Sequence, residues 1–310
     1  MKNSFNDSKI NIGVLNESVQ QNPKLIVDYA ERNYDKQLQL VADKIIENEK
    51  VSILLLAGPS ASSKTTTAYK LKDTLQNKGL NAVVISLDDF YIDRDCLPIL
   101  EDGSIDYETI DTLDLNKLSQ CFGELFEKNV SEFPLFEFST GRRALETRTV
   151  SIDDHSLIII EGLHALNPRI INGYDKANFM KLYISPNSDY VMNDELVLSA
   201  RDVRLVRRMI RDHFHRASSL PKTLEMWEKV IEAEVECIFP FKNEADYMID
   251  STIIYEPNIY VNYLIKLIEE TEIPSTYQTE ISRVKRAIMP FYSLNMDYVP
   301  SNTVLREFLD

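Results

Sequence analysis

The chain has 310 residues, enough to bury a sizeable core as one large α/β domain with extensions or as two small domains. Its 49 acidic and 34 basic side chains give a net charge of −15, which disfavours nucleic acid as a partner and leaves anion binding to local arginine clusters. Cys96, Cys121 and Cys237 lack metal or redox spacing, the N-terminus lacks an apolar leader, and no apolar run approaches the roughly 20 residues of a membrane span; a soluble, cytoplasmic protein with reduced thiols and no membrane partner is expected.

In chain order, residues 1–50 read as an N-terminal helical extension. Leu25, Ile26, Tyr29, Leu38, Leu40, Val41, Ile45 and Ile46 recur among charges there, as one or two amphipathic helices would require. From residue 51 apolar runs alternate with amphipathic stretches: a strand over 51–57, a helix over 65–78 and a second strand over 82–87. Further strands are predicted over 156–160, 179–184 and 247–249. Helices are predicted over 113–128, 188–215, 221–237 and 255–270. Residues 273–279 break the pattern, and a last helix is expected over 281–288 before a proline-containing tail. Alternation of this kind predicts βαβ units, hence a doubly wound parallel sheet with helices on both faces. The domain reading is 1–50, 51–272 and 273–310. Ligands on such a sheet collect at the carboxyl ends of its strands.

Gly58-Pro-Ser60-Ala61-Ser62-Ser63-Lys64-Thr65 follows the first strand and opens a helix, the place of a phosphate-binding loop. Successive backbone N–H groups and the helix N-terminus would hold the phosphates, Lys64 would reach the β- and γ-phosphates, and the Thr65 hydroxyl would bind Mg²⁺. Thr66 continues the loop into the helix. Ser63 stands where the usual motif has its second glycine, and its Cβ is expected to be tolerated only at negative φ.

Asp88 and Asp89 follow the second strand, before Phe90 and Tyr91. A carboxylate there can take a hydroxyl proton or hold Mg²⁺; it can equally form a turn or cap a helix. Glu161-Gly162 ends another strand and offers a second acidic group for Mg²⁺, or a plain turn. Arg201, Arg204, Arg207, Arg208, Arg211 and Arg216 are dense for so acidic a chain. Arg204, Arg208 and Arg211 share a helical face, which suits polyphosphate, unless it is a solvated face paired with Asp202 and Asp212. His164 lies near Glu161 and reads more simply as locally hydrogen-bonded. His213 and His215 point to different faces, and Met226 and Trp227 read as packing residues.

Taken together, Gly58–Thr66, the segment 87–91, Ile105-Asp106, the segment 134–143, the end of the strand at 158–162 and Arg207–Asp212 resemble the uridine kinase / phosphoribulokinase family of P-loop kinases over about 51–256. The flanking extensions are similar to bacterial uridine-kinase-like proteins that carry threonyl-tRNA-synthetase-related domains. The resemblance implies ATP and Mg²⁺, with Asp88 as general base toward a nucleoside 5′-hydroxyl. It implies that Tyr91, Asp106, Phe136 and Arg143 hold the acceptor and that Thr65, Asp88 and Glu161 surround the metal. Arg208, Arg211 and Arg216 would belong to a lid near 201–220 that closes over the phosphates, with Arg211 also near the acceptor. A homo-oligomer is consistent with the family.

Gly141, Phe136 and Met226 stand where pyrimidine-specific relatives have a histidine, a tyrosine and a glutamine, so base reading is weakened. The expected activity is phosphoryl transfer from ATP to a small hydroxyl acceptor, most simply a nucleoside. A same-fold kinase of another alcohol or a sugar phosphate, and a weakly active ATP-binding regulator, are the rivals.

Overall fold

The computed structural model describes residues 8–97, 107–153, 155–172 and 178–309. Asp106 lies outside these residues.

The N-terminal extension is β1 (Ser8–Asn11), α1 (Ile12–Gln21) and α2 (Pro23–Glu47). Helix α2 begins where the Asn22 side chain accepts from the Leu25 N–H at 3.1 Å, with Pro23 in the first turn. It buries Val27, Ala30, Tyr34, Leu38, Val41 and Ile45, a stripe at three- and four-residue spacing that faces the sheet layer. One 25-residue helix thus fills the stretch expected to hold one or two.

The chain then runs through β2 (Ile53–Ala57), α3 (Lys64–Asn77), β3 (Ala82–Ser86), α4 (Leu115–Lys128), the hairpin β4 (Val130–Glu137) and β5 (Arg142–Ser151), β6 (Leu157–Glu161) and β7 (Phe179–Ser185). After these come β8 (Ser188–Met192), β9 (Glu195–Leu198), α5 (Ala200–His215), α6 (Leu220–Ala233), α7 (Phe239–Lys242), β10 (Tyr247–Asp250), α8 (Glu256–Glu270), α9 (Gln278–Ile288) and α10 (Arg306–Leu309).

The main sheet has the order β10-β7-β2-β6-β3, and every pairing in it is parallel. Strand β2 is buried at all five positions. Leu54 and Leu56 enter one apolar cluster and Ile53, Leu55 and Ala57 the other, so both faces are covered, as a continuous apolar run requires. The first cluster also takes side chains of α1, α2, α5, α8, α9 and the C-terminal tail. The second takes those of α4 and the β4–β5 hairpin. The expected doubly wound α/β architecture is present. Its chain order reverses at β2, which brings the ends of β2, β6 and β3 together.

The expected helix over 188–215 is corrected. Residues 188–198 form an antiparallel hairpin, turning through Asn193 and Asp194 at φ 50° and 65°. Helix α5 starts only at Ala200, because Ser199 and Asp202 form a capping box. The β4–β5 hairpin is a second element the periodicity did not reveal. Pro134 interrupts its apolar pattern, and the turn relies on Gly141 at φ 71°.

Candidate active site

The loop between β2 and α3 needs glycine only where the chain is crowded. A Cβ on Gly58 would lie 2.2 Å from the Ile184 carbonyl oxygen of β7 and 2.7 Å from Ser62 Oγ. Ala61 and Ser63 take left-handed conformations, at φ 59° and 67°. This overturns the expectation of a negative φ at Ser63. The loop keeps its fold and carries the Cβ penalty, about 1 kcal/mol for such a residue.

Arginines of α5 hold the loop in that shape. Arg204 Nε donates to the Ser60 carbonyl at 3.0 Å, Arg207 Nη1 to the Ala61 carbonyl at 3.2 Å, and Arg208 Nη1 to Ser60 Oγ at 2.9 Å. Arg204 is also paired with Glu234, and Arg207, fully buried, with Glu256. Arg204, expected to share a phosphate-facing surface with Arg208 and Arg211, is therefore committed to structure: its guanidinium is spent on a buried carboxylate and a carbonyl. Inside the loop, the buried hydroxyls of Ser62 and Ser63 have no partner among the described residues.

Lys64 folds back so that Nζ donates to the Pro59 carbonyl at 3.1 Å. Thr65 Oγ1 donates to Glu161 Oε1 at 3.0 Å, and Ser86 Oγ donates to the same oxygen at 2.5 Å. The strand register sets this meeting, since Glu161 on β6 lies between Leu56 of β2 and Ser86 of β3. Burial, with Asp88 close by, pushes the Glu161 carboxyl up to about 7. Gly162 lets the chain turn away beneath Leu87, whose Cβ would lie 2.7 Å from a side chain there. His164 is buried just beyond this turn.

Of the two aspartates after β3, Asp89 faces Arg148 at 3.6 Å. The Asp88 carboxylate takes no hydrogen bond among the described residues, and it lines the same cleft as Lys64 and Thr65. Thr65, Glu161 and Asp88 supply oxygen donors only, the set that suits Mg²⁺. No cluster of three or more His, Cys, Asp or Glu able to cage a metal exists among the described residues.

The cleft has a volume of about 1860 Å³. Ser60 to Thr66, Asp88, Tyr91, Phe136, Arg208, Arg211 and Arg216 all line it. Tyr91, Phe136 and Phe138 form an aromatic cluster with ring centroids 5.4–6.1 Å apart. Burial pushes the Tyr91 phenol well above its usual range. Arg216 stacks on Phe138 with its guanidinium 4.6 Å from the ring centroid, and burial followed by Arg211 lowers its pKa to about 10. Asp212 orients two arginines at once: Arg211 Nη2 lies 2.8 Å from Oδ1 and Arg208 Nε 3.3 Å from Oδ2.

The expected lid divides. Residues 203–212 are buried within the packed body, whereas His215 to Ser219 border the cleft. Arg143 is not a lining residue, because β5 directs it to Asp114 at 3.1 Å. Phe138, Glu108 and Asp212 line the cleft although the sequence did not single them out as site residues. Phe138 had a weak signal, an aromatic residue two positions beyond Phe136 in the turn that follows β4. Glu108 had none. Burial raises its carboxyl, offset by Arg208 and Lys64. Met226, expected to be a packing residue, also lines the cleft.

The model of the "Phosphoribulokinase / Uridine kinase family" matches residues 53–254. The chain belongs to the phosphoribulokinase / uridine kinase family. Members are phosphotransferases acting on hydroxyl groups, and the cleft carries the loop and carboxylates of that class. A uridine kinase from Lactobacillus helveticus (strain DPC 4571) is 26% identical over 202 residues, covering 65% of this chain and 87% of that protein. A uridine kinase from Clostridium botulinum (strain 657 / Type Ba4) is 25% identical over 196 residues, covering 63% and 85%. Among solved structures, a Silicibacter sp. TM1040 protein described as a fructose transport system kinase aligns with a TM-score of 0.50 and 18% identity, over 68% of this chain and 98% of that one. At that identity the likeness is one of fold alone. No helix among the described residues is long and apolar enough to cross a membrane.

Proposed function

We propose that this family member transfers the γ-phosphoryl group of ATP to the hydroxyl of a small molecule, with the 5′-hydroxyl of a nucleoside as acceptor. The observation that carries the reading is Asp88: a carboxylate with no ion pair among the described residues, lining the same cleft as the phosphate-binding loop and the aromatic cluster of Tyr91, Phe136 and Phe138.

Asp88 accepts the proton of the acceptor hydroxyl as its oxygen attacks phosphorus. Lys64 leaves the Pro59 carbonyl to meet the β- and γ-phosphates, and Arg208 and Arg211, aligned by Asp212, oppose the charge that develops on the transferring group. Mg²⁺ held by Thr65, Glu161 and Asp88 would neutralise the triphosphate. The aromatic cluster gives a flat apolar surface for a base, and the segment from His215 to Ser219 borders the cleft where exclusion of water suppresses ATP hydrolysis.

A second reading, a sugar phosphate as acceptor, is favoured by one observation. Arg94 packs against Gly141 so closely that a Cβ there would lie 2.4 Å from Arg94 Cδ, and Arg94 also lines the cleft. A cation at that point suits an anionic acceptor better than a neutral base edge. Product identification by mass spectrometry, after incubation with ATP and equimolar uridine, cytidine and pentose phosphates, separates the two readings. A nucleoside monophosphate as main product supports the first; a sugar bisphosphate replaces it with the second.

A further inference from the structure

The C-terminal tail lies outside the span matched by the family model, yet it reaches the phosphate-binding loop. Thr66 Oγ1, in the first turn of α3, donates to Glu307 Oε2 at 2.6 Å. Glu307 lines the active-site cleft, and Oε1 takes no hydrogen bond among the described residues.

The tail is firmly anchored on both sides of this residue. Val304, Leu305 and Phe308 have no solvent exposure, Thr303 donates to Glu31 at 2.6 Å, and the Arg207 guanidinium lies 5.2 Å from the Phe308 ring centroid. Lys70, the nearby cation on α3, is engaged by the Asn302 carbonyl at 3.0 Å and by Asp35 at 3.2 Å. Glu307 is therefore a wall of the site, held by apolar packing, and not a latch that swings free.

Lys64 opens α3 and lines the cleft, and Glu307 provides an anionic acceptor there beside Thr66, one turn from the half-exposed ring of Tyr69. A phosphate is repelled by Glu307; a hydroxyl or amino group is attracted.

We propose that Glu307 is a donor-specificity residue: it accepts a hydrogen bond from the nucleoside half of the donor nucleotide, from a ribose hydroxyl or the base amino group, and so orients the triphosphate toward Lys64. This rests on the ATP-kinase reading above and adds to it a role for the tail.

The test is calorimetric affinity of the full chain for ATP, 2′-deoxy-ATP and inosine triphosphate with Mg²⁺, together with KM and kcat for each donor. In the wild type, ATP binds more tightly than at least one of the other two; weakening of 2′-deoxy-ATP assigns the contact to ribose, and of inosine triphosphate to the base amino group. Glu307→Ala weakens ATP by about 10-fold, the size of a lost charged hydrogen bond, raises KM with kcat within about twofold, and erases that preference. Glu307→Gln keeps an oxygen for Thr66 and the tail's packing, and it shifts affinity in the same direction by less. Equal affinities for all three donors in the wild type, unchanged discrimination in both variants, or tighter ATP binding in Glu307→Ala would each overturn the inference, the last by making Glu307 a competing anion. A wild-type chain that binds no triphosphate overturns the kinase reading as well, which separates the two failures.

Discussion

Thr65 donates its hydroxyl hydrogen bond to Glu161 Oε1 at 3.0 Å, joining the first turn after the phosphate-binding loop to the end of the neighbouring strand. The Glu161 side chain is buried and takes no ion pair among the described residues, so its charge is compensated only by hydroxyls and by the more distant Lys64.

Glu161 therefore links pH, metal and stability. Its carboxyl titrates at about 7 in the folded chain against 4.5 for an ordinary glutamate. Between those values the folded state keeps a proton that the unfolded state has released, so stability falls as pH rises through the window, by about 3 kcal/mol in all. Mg²⁺ favours the carboxylate and restores stability at pH 8 more than at pH 5. Urea unfolding across this range, with and without Mg²⁺, should show both effects in the wild type and neither in Glu161→Gln. An identical profile for the variant would remove Glu161 as their source.

Ser63 carries a Cβ at φ 67° and a buried hydroxyl without a partner among the described residues. Replacing it with glycine should raise stability by about 1 kcal/mol, less the extra freedom of the unfolded glycine. Thermal unfolding measures this directly. A fall in stability would mean that the hydroxyl contributes a contact worth more than the relieved strain.

Asp88→Asn should leave ATP affinity within about threefold while lowering turnover by about 10²- to 10⁴-fold, the usual contribution of a positioned base. Calorimetry and steady-state rates on the same preparation separate the two effects. Unchanged turnover would exclude Asp88 as the base.

Arg207 joins α5, α8 and the loop, with Nε 2.6 Å from Glu256 Oε2 and Nη2 2.7 Å from the Ser251 carbonyl. Arg207→Ala strands the Glu256 carboxylate in the core and should cost about 3–5 kcal/mol. The double variant Arg207→Met, Glu256→Leu should recover much of that loss, because no buried charge remains. Failure to recover would locate the cost in the lost bond to Ala61.

Much of this site was legible before the structure, for local reasons. Residues 53–57 are apolar without interruption, and Gly58, Lys64 and Thr65 follow at the spacing that a strand, loop and helix need. Asp88 and Glu161 were readable because each directly ends an apolar run, which puts them at the same sheet edge. The hairpin at 188–198 was not readable as strands, since Val191, Met192, Leu196, Val197 and Leu198 mix with charges at spacings a helix also satisfies; Asn193-Asp194 was the one turn signal. Arg204 looked like a phosphate ligand because its true partner, Glu234, lies 30 residues away. Glu307 is further still from Thr66, at 241 residues, and nothing in local pattern connects them.

The most direct test of the central claim is ADP release from Mg²⁺-ATP, measured with and without an added nucleoside, for the wild type beside Lys64→Ala. Release should rise at least about 10-fold on adding the acceptor and be lost in the variant. ATP binding without acceptor-dependent release, for nucleosides and sugar phosphates alike, would contradict that claim and leave a nucleotide-binding regulator in its place.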